Sequence, residues 1–523
     1  MGTTLRQPSP FFRGSRCSCK KNLLLDIPGS RSAKLTIVIV KYNISTSIYN
    51  LFFHPLSKYR GPTIASATRI PLTYALICGE GPKWIRIQHE QYGNVVRIAP
   101  DELSYMATEG WRDIYGSTPA AKYGMKRSDD FFAYFFDKQS TEASIVSANE
   151  EGHRRLRKIF SRAFSKPALA AQEPLITEKV DLLIENLKQA SRAGKRVNMV
   201  DMHCFTVFDI IADLMFGESL HLLDDDNSPN ASWVRSVPGY IAASICLGAV
   251  AKFPIVRMTL ALFAPRLVAK HYKEFLKSTS DKVDVRLALK EERGDIIHFL
   301  TDPNEKMCLS RPEVDSAAVV LMLAGSDTTP SILCGLNYLL LAHGEVLAKL
   351  VEEIRSSFIS DEDITLESVF KLEYLGACID EGFRVYPAAP IGFPRDVPVG
   401  GASICGSFVP GGTTVYVTPL AAYTSPSNFH SPEAFIPERW LPQAEAKYAS
   451  DKKAVVQPFS IGPRDCLCGS MAYFMIRMIF CKILWNFDVV LEPGNENWIK
   501  DQRIYGTWQK LPLMAKLYPV KRG

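Results

Sequence analysis

Phe459-Ser460-Ile461-Gly462-Pro463-Arg464-Asp465-Cys466-Leu467-Cys468-Gly469 is the stretch on which the reading of this chain turns. It places an aromatic residue, a Gly-Pro turn, a cation and a cysteine directly ahead of the apolar helical pattern Gly469 to Trp485. Backbone N–H groups and the dipole at a helix N-terminus lower the pKa of a cysteine, and a nearby arginine does the same. The segment therefore reads as a nest that presents Cys466 as a thiolate. A lone cysteine is more often a buried, inert side chain, so the weight rests on the order of Phe459, Gly462 and Arg464 around it.

Working outward, four more groups carry chemistry. Ala324-Gly325-Ser326-Asp327-Thr328-Thr329 interrupts an apolar helical run with a glycine, an acid and hydroxyls, which is costly unless they pack, cap or form a polar site. Pro330 lacks the N–H that would bond the Ser326 carbonyl, so a helix distortion is predicted there, and a helix end capped by Ser326 or Asp327 is the competing reading. Glu381 and Arg384 lie at i, i+3 on a helix face, and Arg439 follows in a Pro-Glu-Arg loop. His153 and Arg157, at i, i+4, share one side of a helix, and Arg395 follows Phe393-Pro394. Each arginine alone would pass for an ordinary surface charge; their order along the chain is what distinguishes them.

These segments, in this order, resemble the cytochrome P450 superfamily in its filamentous-fungal microsomal form. Phe-x-x-Gly-x-Arg-x-Cys resembles its haem-ligand loop, with Cys466 rather than Cys468 at the ligand position. Ala324 to Thr329 is similar to its oxygen-activation helix, and Glu381, Arg384 and Arg439 to its structural network beneath the haem. Tyr49-Asn-Leu-Phe-Phe-His-Pro-Leu and the terminal Leu511-Pro-Leu-Met-Ala-Lys-Leu are further echoes. The resemblance implies haem with an axial thiolate from Cys466, an arrangement that pushes electron density to the iron and favours O–O cleavage. It implies contacts to the haem from His153, Arg157, Arg395, Phe459 and Arg464, and proton delivery by Asp327 and Thr328. It also implies O2, an NADPH-cytochrome P450 reductase and a hydrophobic small-molecule substrate from fungal secondary metabolism. Val319 to Ala324, Pro387 to Phe393 and Gly506-Thr507 would line the substrate pocket. The usual glycine two residues after the ligand is Cys468 here, a side chain placed to crowd the ring, alter hydrogen bonding to sulfur or offer an alternative ligand. Two other outcomes stay open: an isomerase, dehydratase or peroxygenase of the same fold, or a haem-binding scaffold impaired by Cys468.

The gross composition is compatible. The 523 residues are 47% hydrophobic, enough for a large core. The helical patterns Glu150 to Phe164, Pro174 to Ala193, Phe205 to Phe216, Pro265 to Glu292, Pro312 to Leu341 and Glu345 to Phe358 dominate, with strand-like segments at 95 to 105, 397 to 405 and 413 to 417. The expected fold is mainly α with a small β-rich region, an α+β cytochrome P450 fold in one large haem-binding domain over 61 to 523 after a leader at 1 to 60.

The net charge of +6 resides in that leader, where residues 1 to 34 hold seven Lys/Arg against Asp26, leaving the body neutral. A neutral body argues against nucleic-acid binding. Twelve cysteines without Cys-x-x-Cys pairing suit reduced thiols facing the cytosol rather than a zinc site. The apolar runs Leu35 to Val40 and Ile48 to Phe53 fall short of the ~20 residues of a spanning helix. Membrane association through an interfacial segment, on the cytosolic face of the endoplasmic reticulum, is the expectation, alongside a misassigned start upstream of Tyr49.

Overall fold

A long apolar helix, Arg311–Ala342, runs through the middle of the computed structural model and organises the rest. The structure describes residues 29–119, 121–128, 144–225, 228–289 and 293–521. The helix starts in a capping box, where Ser310 and Glu313 satisfy each other's backbone N–H groups, with Pro312 in the first turn. It packs most extensively on Met199–Phe216 and also on Pro254–Ala288, Gly344–Ser357 and Glu373–Val385. Gly335 permits one close crossing, since a Cβ there would sit 2.1 Å from the Tyr386 ring. Apolar side chains from these helices, from Lys166–Arg192 and from Gly469–Asn486 form the main buried core.

The β-rich part is small. A five-stranded sheet has the order Val95–Ala99, Glu102–Tyr105, Thr414–Val417, Arg395–Asp396, Lys126–Arg127, with the second and third strands parallel and the others antiparallel. Its faces hold two satellite cores, one around Tyr105, Trp111 and Tyr423 and one around Ile85, Val96 and Tyr416. A second sheet joins Phe487–Leu491 and Val197–Asn198 to Met514–Pro519, tying the end of the chain to the helical core. The whole is one α+β domain, as the sequence patterns predicted.

Several helices exceed their sequence patterns. Lys166–Arg192 passes straight through Pro174, where the pattern had begun, because Ser165 caps an earlier turn by accepting the Ala168 N–H. The central helix likewise continues through Pro330, so Ser326 and Asp327 lie inside it rather than at a helix end. Pro229–Ala251 and Arg311–Ala342 are long and apolar enough to cross a membrane by length and composition, yet 76% of the apolar window of the second is buried within the fold. At the N-terminal side, helix Gly29–Ile48 runs directly into a π-helical turn, Tyr49–Phe53, joining the two apolar runs into one element. Ile37, Val38, Ile44, Tyr49, Phe52 and Phe53 are all exposed on it.

Candidate active site

The loop before Gly469–Asn486 is shaped by two backbone constraints. Gly462 has φ +84°, and a Cβ there would fall 2.2 Å from the Tyr115 carbonyl oxygen, so only glycine fits. Ser460 also adopts a left-handed φ of +59°. The Cys466 N–H then closes the loop on the Phe459 carbonyl at 2.8 Å. Phe459 is wedged between Phe383 and Tyr473, with ring centroids 5.5 and 5.3 Å away.

Cys466 is exposed, whereas Cys468 is half-buried against the main core at the N-cap of the helix. The neighbouring Cys468 thiol lowers the Cys466 pKa, and the Cys468 backbone N–H and Arg157 add to the lowering, partly offset by desolvation within the loop and by Asp465. The same interaction raises the pKa of Cys468. The two neighbouring thiols are thus shifted in opposite directions, Cys466 downward and Cys468 upward.

Around this loop lies a concentration of positive charge. Arg157 donates to the Asp465 carbonyl at 3.0 Å and pairs with the Asp465 carboxylate. Arg464 donates to the Ala148 carbonyl at 3.1 Å, while its Nη1 is buried with no partner among the described residues. Arg395 stands over the Tyr115 ring at 5.4 Å, and its Nε and Nη1 are likewise buried without a partner there. Arg127, which no local pattern had singled out, is the direct cross-strand neighbour of Arg395. Burial, followed by Arg395 and Arg464, pushes the Arg127 pKa down to about 9. Burial, countered by Tyr115 and reinforced by Arg464, pushes that of Arg395 down to about 10. His153 is buried nearby and driven to about 3 by burial and then by Arg464, Arg127, Arg157 and Arg395, so it is a neutral imidazole. Crowded cations with unused buried N–H groups call for an anion with several acceptor oxygens.

Glu381, Arg384 and Arg439 meet in a fully buried cluster. Glu381 Oε1 accepts from Arg384 Nη2 at 2.8 Å, Arg439 Nε at 3.1 Å and the Ile436 N–H at 2.9 Å. Oε2 accepts from Arg384 Nε and from Trp440 Nε1, each at 2.8 Å. Arg384 also caps the carbonyls of Tyr423, Pro432 and Ala434, and Arg439 pairs with Asp451. Trp440 and Asp451 complete a network of which the sequence pattern gave only three members.

On the central helix, Thr328 donates its hydroxyl to the Ala324 carbonyl at 2.8 Å. Asp327, the preceding residue, is in a buried contact with Lys510 through Oδ1. Of the expected pocket segment Val319 to Ala324, the residues with appreciable exposure are Leu323 and Ala324. From the segment Pro387 to Phe393, Ile391 and Gly392 reach a mainly apolar cavity between the five-stranded sheet and helices Ile70–Ile77 and Pro229–Ala251, with Leu72, Leu76, Ile85 and Ile245 on its other walls.

The cytochrome P450 family profile matches residues 79–517. The chain is 39% identical to cytochrome P450 monooxygenase FUM2 of Gibberella moniliformis over 91% of this chain and 100% of that protein. It is 37% identical to averantin hydroxylase of Dothistroma septosporum, over 92% and 90% of the two chains. It is also 39% identical to cytochrome P450 monooxygenase tpeC of Talaromyces stipitatus, over 94% and 96%.

The chain belongs to the cytochrome P450 family and is a monooxygenase of that family. Membership implies a haem-thiolate cofactor and the use of O2 with a redox partner. The unused N–H groups of Arg395 and Arg464 and the exposed Cys466 fit the two carboxylates and the metal of such a group.

Proposed function

We propose that this enzyme hydroxylates or epoxidises a hydrophobic small molecule of fungal secondary metabolism, using O2 and electrons from an NADPH-cytochrome P450 reductase. The observation that carries the proposal is the exposed Cys466, in a loop closed on the Phe459 carbonyl, beside an arginine cluster whose buried N–H groups on Arg395 and Arg464 have no partner among the described residues. Bound through Cys466, haem would supply the oxygen-activating chemistry. Arg127, Arg157, Arg395 and Arg464 would hold its carboxylates, with neutral His153 as a hydrogen-bonding partner. Phe459 would pack beside the ligand loop, and the Glu381, Arg384 and Arg439 cluster would keep that loop's support rigid. Asp327 and Thr328 would pass solvent protons inward, and the apolar cavity reached by Ile391 and Gly392 would accept the substrate.

A cleft beside the ligand loop carries Lys122, Arg154 and Lys158 against a single acid, Glu150, with Leu467 in its wall, and suits an acidic electron-transfer partner such as the reductase. The exposed apolar side chains of Gly29–Ile48 and Tyr49–Phe53 support attachment to the endoplasmic reticulum membrane, with the domain on its cytosolic face. The similarity to averantin hydroxylase supports a hydroxylation.

The test is the carbon monoxide difference spectrum of the reduced protein. A thiolate band is expected in the wild type and in Cys468→Gly, and should vanish in Cys466→Ala; its persistence in Cys466→Ala sinks the assignment. Spin-state shifts across a panel of apolar metabolites would then identify the substrate class, with NADPH-dependent product as the outcome that separates a monooxygenase from an isomerase or peroxygenase.

A further inference from the structure

Lys510 lies near the end of the chain, in none of the patterned segments, yet its side chain is only 2% exposed against 5% for Asp327. Its Nζ donates to Asp327 Oδ1 at 2.6 Å and to Ser331 Oγ at 3.0 Å, and lies 3.5 Å from the Trp508 carbonyl. The three donors of the ammonium therefore each have a direction to fill. Burial opposes the charge on Lys510, but Asp327, with Cys204 and Cys334, outweighs it and keeps the pKa above the usual lysine value. Asp327 Oδ2, by contrast, is buried with no partner among the described residues. One carboxylate oxygen is pinned and the other keeps its full accepting capacity.

The segment that carries Lys510 is itself fixed. Trp508 stacks on Tyr386 at 4.2 Å and donates its indole N–H to the Pro387 carbonyl at 2.8 Å. Gln509 holds the Pro238 carbonyl at 3.0 Å. A buried ion pair is seldom more stable than apolar side chains of the same volume. Its presence on the very acid expected to move protons, with one oxygen left unsatisfied, asks for a use beyond stability.

We propose that Lys510 is the positioning residue for proton delivery, holding Oδ1 of Asp327 so that Oδ2 alone relays protons between solvent and Thr328. In the balance, each turnover takes two protons from solvent and two electrons from the reductase; one oxygen atom of O2 enters product and the other leaves as water, while the Lys510–Asp327 pair ends unchanged. This rests on the proposed monooxygenase reading and on Asp327 as its relay.

The experiment uses the full-length, haem-loaded enzyme with reductase and measures product and hydrogen peroxide per NADPH in Asp327→Asn, Lys510→Met, Lys510→Arg and Lys510→Met/Asp327→Asn. Lys510→Met should keep the thiolate carbon monoxide band yet form product at least tenfold less efficiently, with peroxide rising in step. Lys510→Arg should restore coupling, and the double variant should be no worse than Asp327→Asn. Independently of turnover, the infrared spectrum of Lys510→Met should gain the C=O band of a protonated carboxyl that the double variant lacks, because a buried carboxylate stripped of its counter-ion neutralises.

Normal coupling in Asp327→Asn would refute the relay reading itself. Loss in Asp327→Asn with normal coupling in Lys510→Met would refute only the role of Lys510. A missing infrared band, or failure of Lys510→Arg to restore coupling, would also overturn that role. Should Lys510→Met fail to retain haem, the charge-neutral double variant decides against Asp327→Asn: equal coupling supports the proposal, and a further tenfold loss overturns it.

Discussion

Arg127 and Arg395 stand directly opposite one another across a pair of two-residue strands. Like charges in that relation destabilise a sheet, and Arg464 adds its own repulsion to both. An anion seated against them reverses the sign of that contribution. Arg395→Gln is therefore expected to leave the haem-free protein at least as stable as wild type while weakening haem retention by roughly 10- to 100-fold, the scale of one or two charge-assisted hydrogen bonds. Thermal unfolding of the haem-free protein and the rate of haem transfer to an acceptor protein measure the two halves.

Glu381 receives five N–H donors with no solvent access. Glu381→Gln converts two acceptor oxygens into one acceptor and one donor, leaving Arg384 and Arg439 short of charge compensation in a buried site. Such a break costs about 3 to 5 kcal/mol. Trp440→Phe removes one donor to the same carboxylate and should cost about 1 to 3 kcal/mol. Chemical denaturation should rank the two in that order, and little of the Glu381→Gln protein should be recovered with haem.

The parts of this site that could be read from the sequence share one property: their members are close in the chain. Phe459 to Cys466, Glu381 with Arg384, and His153 with Arg157 each sit on one loop or one helical turn, where spacing dictates proximity. Arg127 has no such signal, because its meaning arises only when a two-residue strand pairs with Arg395. Lys510 reaches Asp327 across 183 positions, from just past the short antiparallel pair Ile504–Tyr505 and Thr507–Trp508, where no local pattern points to the central helix. The helix starts were misread for a related reason: Pro174 resembles a first-turn proline, but Ser165 supplies a better cap well ahead of it. Pattern reveals contacts made along the chain, and folding makes the rest.

Cys468 lowers the pKa of Cys466 chiefly through its thiol. In the haem-free protein, Cys468→Ala should therefore raise the pH midpoint of Cys466 alkylation and slow the reaction at neutral pH. The thiolate population, and with it the rate, falls about tenfold for each pH unit by which the midpoint rises. Cys468→Ser, which keeps a donor, should fall between. Stopped-flow alkylation across a pH series checks the order, and an unchanged midpoint in Cys468→Ala would remove Cys468 from any part in tuning the thiolate.

His89 lies between the Gly93 carbonyl and Ser104 Oγ, each 2.8 Å from a ring nitrogen, and burial lowers its pKa from 6.5 to about 4. The unfolded chain takes up a proton below pH ~6.5 that the folded protein refuses until about pH 4. Between those values the unfolded state binds more protons, so stability falls as the pH is lowered, with a slope of at most ~1.4 kcal/mol per pH unit from this residue. Above pH 6.5 its contribution is constant. His89→Gln keeps hydrogen-bonding capacity without a titrating group, and should flatten the stability profile between pH 4 and 6.5 while shifting stability at pH 8 by a pH-independent amount. Denaturation midpoints at pH 5, 6 and 8 distinguish this from a general loss of packing, which would displace the curve without changing its slope.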